Sequence, residues 1–106
     1  MAHESFSLIE DNKNNADFII IDLRLPQDFE KEHIEGAINI DYNDETFRDE
    51  LNKLDRNKSY LIYGYCACGG VGWNALRAME ELGFKKVCNM WGGIEQWREE
   101  GLPTAK

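Results

Sequence analysis

Tyr60-Leu-Ile-Tyr-Gly-Tyr-Cys66-Ala-Cys68-Gly-Gly-Val-Gly72-Trp73 is the stretch that decides the fold. Its first residues form an apolar run of strand type, and the glycines that follow mark a tight loop. A helix is expected to open at Gly72 or Trp73. Cysteine is a poor packing residue for the start of such a loop. It is a good nucleophile there, because backbone N–H groups and a helix N-terminus converge on it and favour the thiolate. No charged side chain occurs from Ser59 to Leu76, although 30% of the chain is charged. Anion stabilisation in this loop must come from the backbone or from residues elsewhere in the fold.

Outward from this loop, composition sets the bounds. A length of 106 residues predicts a single domain, 1–106, and 42% hydrophobic residues predict a packed core rather than disorder. A net charge of −8 argues against nucleic acid or an anionic membrane as the main partner. No apolar run approaches the ~18 residues of a spanning helix. Met-Ala-His-Glu at the N-terminus has neither the basic region nor the apolar core of a signal peptide. Three cysteines make a poor disulfide framework. The expected location is therefore a reducing cytoplasm, with at least one working thiol. The oligomeric state is not legible.

In chain order, Ser5 to about Asn14 reads as a short amphipathic helix with Phe6 and Ile9 on one side. Asp17-Phe-Ile-Ile-Ile-Asp22 is a short apolar run of the kind buried on both faces of a parallel sheet. Pro26 opens a helix reaching Glu32. A second strand is expected over Ala37–Ile40, then a helix over Phe47–Leu54 capped by Asp44 or Thr46. After the Tyr60–Tyr63 strand comes a helix from about Trp73 to Leu82, with Leu76, Met79 and Leu82 at core spacing and Gly83 as a left-handed terminator. A fourth strand, Lys85–Met90, places Cys88 in the core. The last helix runs from Ile94 to Glu100 and stops at Gly101. This alternation predicts an α/β fold: an open, mostly parallel sheet of four to five strands with helices on both faces. Ligands of such sheets bind at the carboxyl ends of strands, where Cys66 and the Asp22-Leu-Arg24 turn both fall.

Several ordered motifs together resemble the rhodanese-like, sulfurtransferase-type domain family. They are Asp22-Leu-Arg24 with Pro26 and Asp28-Phe29, then His33-Ile-Glu-Gly36-Ala37, Tyr65-Cys66, Leu82-Gly83-Phe84, and Gly92-Gly93-Ile94-Glu-Gln-Trp97. The resemblance covers about Asp17 to Pro103. It departs from the family pattern in two places. The family commonly has one more short strand before the first helix, so Met1-Ala2-His3 reads either as a remnant on a domain cut from a longer protein or as the start of a short one. A frequent family loop also carries two arginines where Ala67 and Val71 stand here.

The resemblance implies a sulfurtransferase without a cofactor, in which Cys66 is the catalytic residue and carries a persulfide. A small sulfur donor and a thiol acceptor are the implied partners, with a protein as a further candidate for either. The N–H groups of the loop Ala67, Cys68, Gly69, Gly70, Val71 and Gly72 would hold the negative charge on sulfur. Without a guanidinium to pair sulfonate oxygens, thiosulfate should bind weakly, and polysulfide or a protein persulfide should be preferred. Asp22 and Arg24 are supporting residues that brace the loops, unless Arg24 faces Cys66. His33 is expected to order its connector. Trp73 and Trp91 are expected at the site mouth, and Glu30-Lys31-Glu32 and Arg98-Glu99-Glu100 on solvated helix faces.

Other readings stay open. Cys68 is either a resolving thiol or a small loop residue at a usual serine position, and Cys66 itself can be a buried structural cysteine. A catalytically silent interaction module and a Cys66/Cys68 redox or metal-handling protein are the rival classes. Cys-x-Cys alone is too little for a zinc site, and no metal is assigned. Gly70-Val-Gly72-Trp-Asn-Ala75 fits a dinucleotide pattern, but the next strand lacks the acidic ribose ligand. A phosphatase loop would need arginine where Gly72 stands.

Overall fold

The computed structural model describes residues 2–66 and 70–106. In chain order these form α1 (Ala2–Asp11), β1 (Phe18–Asp22), α2 (Pro26–Lys31), β2 (Ile38–Asn39), α3 (Phe47–Asn52), β3 (Ser59–Tyr63), α4 (Val71–Glu81), β4 (Val87–Asn89) and α5 (Gly93–Glu99). The strands make one four-stranded sheet in the order β2-β1-β3-β4, and every pairing is parallel. The α/β architecture read from the sequence is the observed one, with four strands among the described residues.

Strand alternation divides the core into two layers. Ile21, Tyr60 and Ile62 point to one face, where Phe47 and Leu51 of α3 and Ala75, Ala78 and Met79 of α4 cover them. Ile20, Leu61 and Tyr63 point to the other, beneath Ile94 and Trp97 of α5 and Phe6 and Ile9 of α1. Each fully buried Ile, Leu or Met side chain among these contributes about 1.5–3 kcal/mol by leaving water. Because β1 and β3 are covered on both sides, their sequences are near-continuous apolar runs.

Several local expectations change. α1 starts at Ala2, since nothing in Ala-His-Glu-Ser breaks a helix, and His3 pairs with Glu100 at 3.1 Å. α4 opens at Val71, earlier than Gly72 or Trp73, because Gly70 takes the left-handed turn (φ 70°) before it. On α4 the fully buried residues are Ala75, Ala78 and Met79, while Leu76 and Leu82 are only partly buried. Small side chains let that helix sit close to the sheet, so the longer ones flank the contact. Thr46 stands at the N-cap of α3 without a side-chain cap bond. Asp44 instead accepts from the Thr46 N–H (2.9 Å) and hydroxyl (2.8 Å), which hold its carboxyl below the usual range. Cys88 is exposed rather than in the core: β4 is an edge strand and pairs only with β3. Gly83 does adopt the left-handed terminator conformation, at φ 96°.

Candidate functional site

Because all strands are parallel, the segments after β1, β2, β3 and β4 emerge at one end of the sheet. Cys66 lies there, half-buried, three residues beyond the end of β3. The described chain resumes at Gly70 and enters α4 at once. The two ends of the loop are close: a Cβ on Gly64 would touch the Val71 side chain at 3.4 Å. Gly72 is closer still to β4, where any side chain would collide with the Asn89 amide. Cys88, the other described cysteine, is free and exposed on β4.

The chain leading to Cys66 is clamped by the start of α5. The N–H of Ile94 donates to the Gly64 carbonyl and that of Glu95 to the Tyr65 carbonyl, both at 3.0 Å. Gly93 fills the space between, with φ 63°. A Cβ there would stand 2.7 Å from the Cys66 nitrogen, the Gly64 oxygen and the Tyr65 carbonyl carbon. Only glycine satisfies both the conformation and the approach. The sequence signal was Gly92-Gly93 ahead of a helix, but its contact with Cys66 was not legible.

A buried ionic network supports the neighbouring turn. Arg24 is 2% exposed and Asp22 0%. Arg24 Nη2 donates to Asp22 Oδ2 at 2.8 Å, its Nε donates to Oδ1 at 3.1 Å, and its backbone N–H donates to Oδ1 at 2.9 Å. Nη2 also donates to the Glu32 carbonyl at 2.6 Å, which ties the end of α2 to β1. Burial disfavours the guanidinium charge, but the Asp22 hydrogen bonds and negative charge outweigh it, and the Arg24 pKa is raised. Tyr63 donates its hydroxyl to Asp22 Oδ2 (2.8 Å) and accepts from the Ile34 N–H (3.1 Å). Burial, then the Asp22 charge, pushes this phenol far above its ordinary pKa, so it stays protonated.

Tyr65 extends the network to the residue before Cys66. Its hydroxyl donates to Asp28 Oδ2 (2.5 Å) and accepts from the Leu25 N–H (3.2 Å). The Arg24 guanidinium carbon lies 5.8 Å from its ring centroid. Burial and the Asp28 bond raise the Tyr65 pKa. Neither Tyr63, Tyr65 nor Asp28 stood out in the sequence as a supporting residue, although tyrosines at alternate positions beside a buried acid are a usable signal. Arg24, the cation expected to brace or to face Cys66, is committed to Asp22 and Glu32.

The remaining expectations sort plainly. Gly70, Val71 and Gly72 sit at the start of α4; Ala67, Cys68 and Gly69 lie outside the described residues. His33 orders its connector: its Nδ1 is 2.8 Å from the Phe29 carbonyl, its ring stacks on Phe29 at 3.9 Å, and its backbone bridges Ala105. Trp73 and Trp91 are 48% and 47% exposed on segments flanking the loop. Glu32 is not simply solvated, because it pairs with Arg98 across two helices.

Comparison with known proteins agrees with this geometry. The family model described as Rhodanese-like domain matches residues 5–100. A putative sulfur carrier protein of Bacillus subtilis, YrkF, is 37% identical over 79 residues, covering 74% of this chain and 40% of that protein. A tRNA uridine(34) hydroxylase of Photorhabdus laumondii is 35% identical over 99 residues, covering 86% of this chain and 28% of its own length. The chain thus spans less than half of these curated relatives. Among solved structures, the rhodanese-like domain of the Anabaena Alr3790 protein superposes with a TM-score of 0.82 at 26% identity, covering 98% of this chain and 75% of that one. With its sheet order, its strand-end cysteine and these matches agreeing, the chain belongs to the rhodanese-like domain family.

Proposed function

We propose that this chain is a sulfurtransferase that carries sulfane sulfur on Cys66. The observation that supports this most is the placement of Cys66 between the carboxyl end of β3 and the opening of α4, on a backbone fixed by Gly93, Ile94 and Glu95. Sulfur chemistry needs the thiolate, and the N-terminal end of an eleven-residue helix favours it. The reactive form is therefore reduced Cys66.

In the first half-reaction the Cys66 thiolate attacks the sulfane sulfur of the donor. A Cys66–sulfur bond forms, the donor's S–S bond breaks, and the donor departs with the electron pair. In the second, an acceptor thiolate attacks the outer sulfur of the Cys66 persulfide, and Cys66 leaves as thiolate, ready for another cycle. The loop backbone from Ala67 to Gly72 is the candidate cradle for the persulfide anion. Arg24 does not serve as an anion clamp, since its guanidinium is buried against Asp22. Polysulfides and persulfides are therefore better donors than thiosulfate. Asp22, Arg24, Tyr63 and Tyr65 act by holding the turn and the strand end.

The test begins with reduced, desalted protein in a Cys88→Ser background, which removes the exposed thiol. Polysulfide should add one sulfur atom that maps to the Cys66 peptide, and thiol addition should remove it. Cys66→Ser should reduce turnover to the uncatalysed rate. Full turnover in Cys66→Ser would overturn the proposal, and faster turnover with thiosulfate than with polysulfide would overturn the donor assignment.

A further inference from the structure

The end of the sheet that carries Cys66 also carries three of the four large apolar side chains that the described fold leaves exposed: Trp73, Trp91 and Tyr65, at 48%, 47% and 37%. Trp73 lies in the first turn of α4, and Trp91 is two residues before Gly93, which abuts the Cys66 backbone. Tyr65 precedes Cys66. An indole half in water at each of two flanking segments contributes little to packing and offers a surface to a partner.

Charge at the same end selects the kind of partner. The segments that emerge there carry Asp28, Asp41, Asp44, Glu45 and Glu95. On the β2 side, Asp41, Asp44 and Glu50 line a cavity of about 240 Å³ beside Pro26. Two cations occur on these segments and the helix turns they open. Arg24 is buried against Asp22, and Arg48 is paired with Glu81 at 3.0 Å. The loop residues 67–69 are uncharged by sequence. Exposed aromatic faces at a sheet end that carries a net excess of carboxylates attract lysine and arginine and repel anions.

We infer that this face docks a basic segment of a partner protein whose cysteine exchanges sulfur with Cys66. The inference rests on the persulfide reading above and adds the chemistry of the partner. The two indoles engage lysine or arginine side chains beside the incoming cysteine, and the carboxylates at this end of the sheet steer the segment in. Its thiolate attacks the outer sulfur of the Cys66 persulfide, the Cys66–sulfur bond breaks with its electron pair staying on Cys66, and the partner leaves as a persulfide.

The experiment uses the full chain, reduced and loaded with polysulfide, and three synthetic peptides as acceptors. Each has one cysteine, flanked by lysine and arginine, by aspartate and glutamate, or by serine and glycine. At low ionic strength kcat/KM should favour the basic peptide over the acidic one by about tenfold or more, and the gap should narrow as salt rises. Glu95→Lys should shrink that ratio, and Trp73→Ala with Trp91→Ala should lower the basic-to-neutral ratio about threefold even in high salt. Circular dichroism checks that each variant is folded. Equal rates for the three peptides, or a preference untouched by these substitutions, would overturn the inference while leaving the persulfide chemistry standing. Concentration-dependent self-association lost with the tryptophans would make the occupant a second copy and also overturn it. Failure of Cys66 to load at all would overturn both.

Discussion

Gly93→Ala tests the clamp on Cys66 most directly. The substitution has two separable costs. At φ 63° an alanine pays the left-handed penalty of about 1–2 kcal/mol. The new methyl would also stand 2.7 Å from three backbone atoms, the Cys66 nitrogen, the Gly64 oxygen and the Tyr65 carbonyl carbon, and none of them can rotate away. Overpacking of this kind costs a further ~1–3 kcal/mol. The sum is about 2–5 kcal/mol. Gly101→Ala is the matched control: its φ is 71°, but nothing lies within 4 Å of its Cβ position, so it carries the backbone term alone. Urea unfolding of both variants should show Gly93→Ala less stable than Gly101→Ala by at least about 1 kcal/mol. Sulfur transfer should fall in Gly93→Ala even where the protein remains folded, because the displaced atoms include the amide of Cys66. Equal destabilisation of the two variants would refute the close approach, and normal transfer in folded Gly93→Ala would refute its bearing on the site.

Two further outcomes concern the buried network. Tyr63→Phe leaves the Ile34 N–H without its acceptor and should cost about 1–3 kcal/mol, or a fall of roughly 4–8 °C in Tm per kcal/mol. The same variant should flatten the alkaline limb of the stability profile. The unfolded phenol ionises near pH 10, whereas the folded one keeps its proton to higher pH, so wild-type stability is full below about pH 10 and falls as pH rises above it. Titration curves of identical slope in wild type and variant would contradict this. Arg24→Met strands the Asp22 carboxylate in a fully buried position and should cost about 3–5 kcal/mol at neutral pH. Adding Asp22→Asn to Arg24→Met removes the stranded charge and should recover part of that loss. An equal deficit in the single and the double variant, measured by urea unfolding, would show that lost packing rather than the stranded charge is responsible.

Much of the fold was legible because burial on both faces leaves an unmistakable trace. The run Asp17–Asp22 was read within one residue of β1, and Tyr60–Tyr63 within one residue of β3. What failed was whatever depends on who sits beside whom. Cys88 sits between valine and asparagine and reads as core, but the spatial order of strands puts β4 at an edge, and that order is not a local property. Of the stripe Leu76, Met79, Leu82, Met79 is fully buried as expected, but close approach of α4 to the sheet put Ala75 and Ala78 beside it and left the two leucines only partly buried. At the site, the strand-to-glycine transition located Cys66, because the motif is contiguous. The clamp from Gly93 and the Tyr63–Asp22 and Tyr65–Asp28 bonds join residues 27 to 41 positions apart, and no sequence period reports such pairs.

Two of the helices that begin at this end of the sheet, α4 and α5, meet Cys66 in different ways. The first donors of α5 are engaged by the Gly64 and Tyr65 carbonyls, so that helix holds the chain mechanically and its positive pole is largely answered by its own protein. α4 opens directly off the cysteine loop, so in the proposed sulfur transfer its pole is the one that the thiolate would feel. Position and charge are thereby set by separate elements. A substitution within α5 can move the sulfur without changing its acidity, and one in the first turn of α4 can change its acidity without moving it. Evolution could accordingly retune the reactivity of this thiol without rebuilding the frame that aims it.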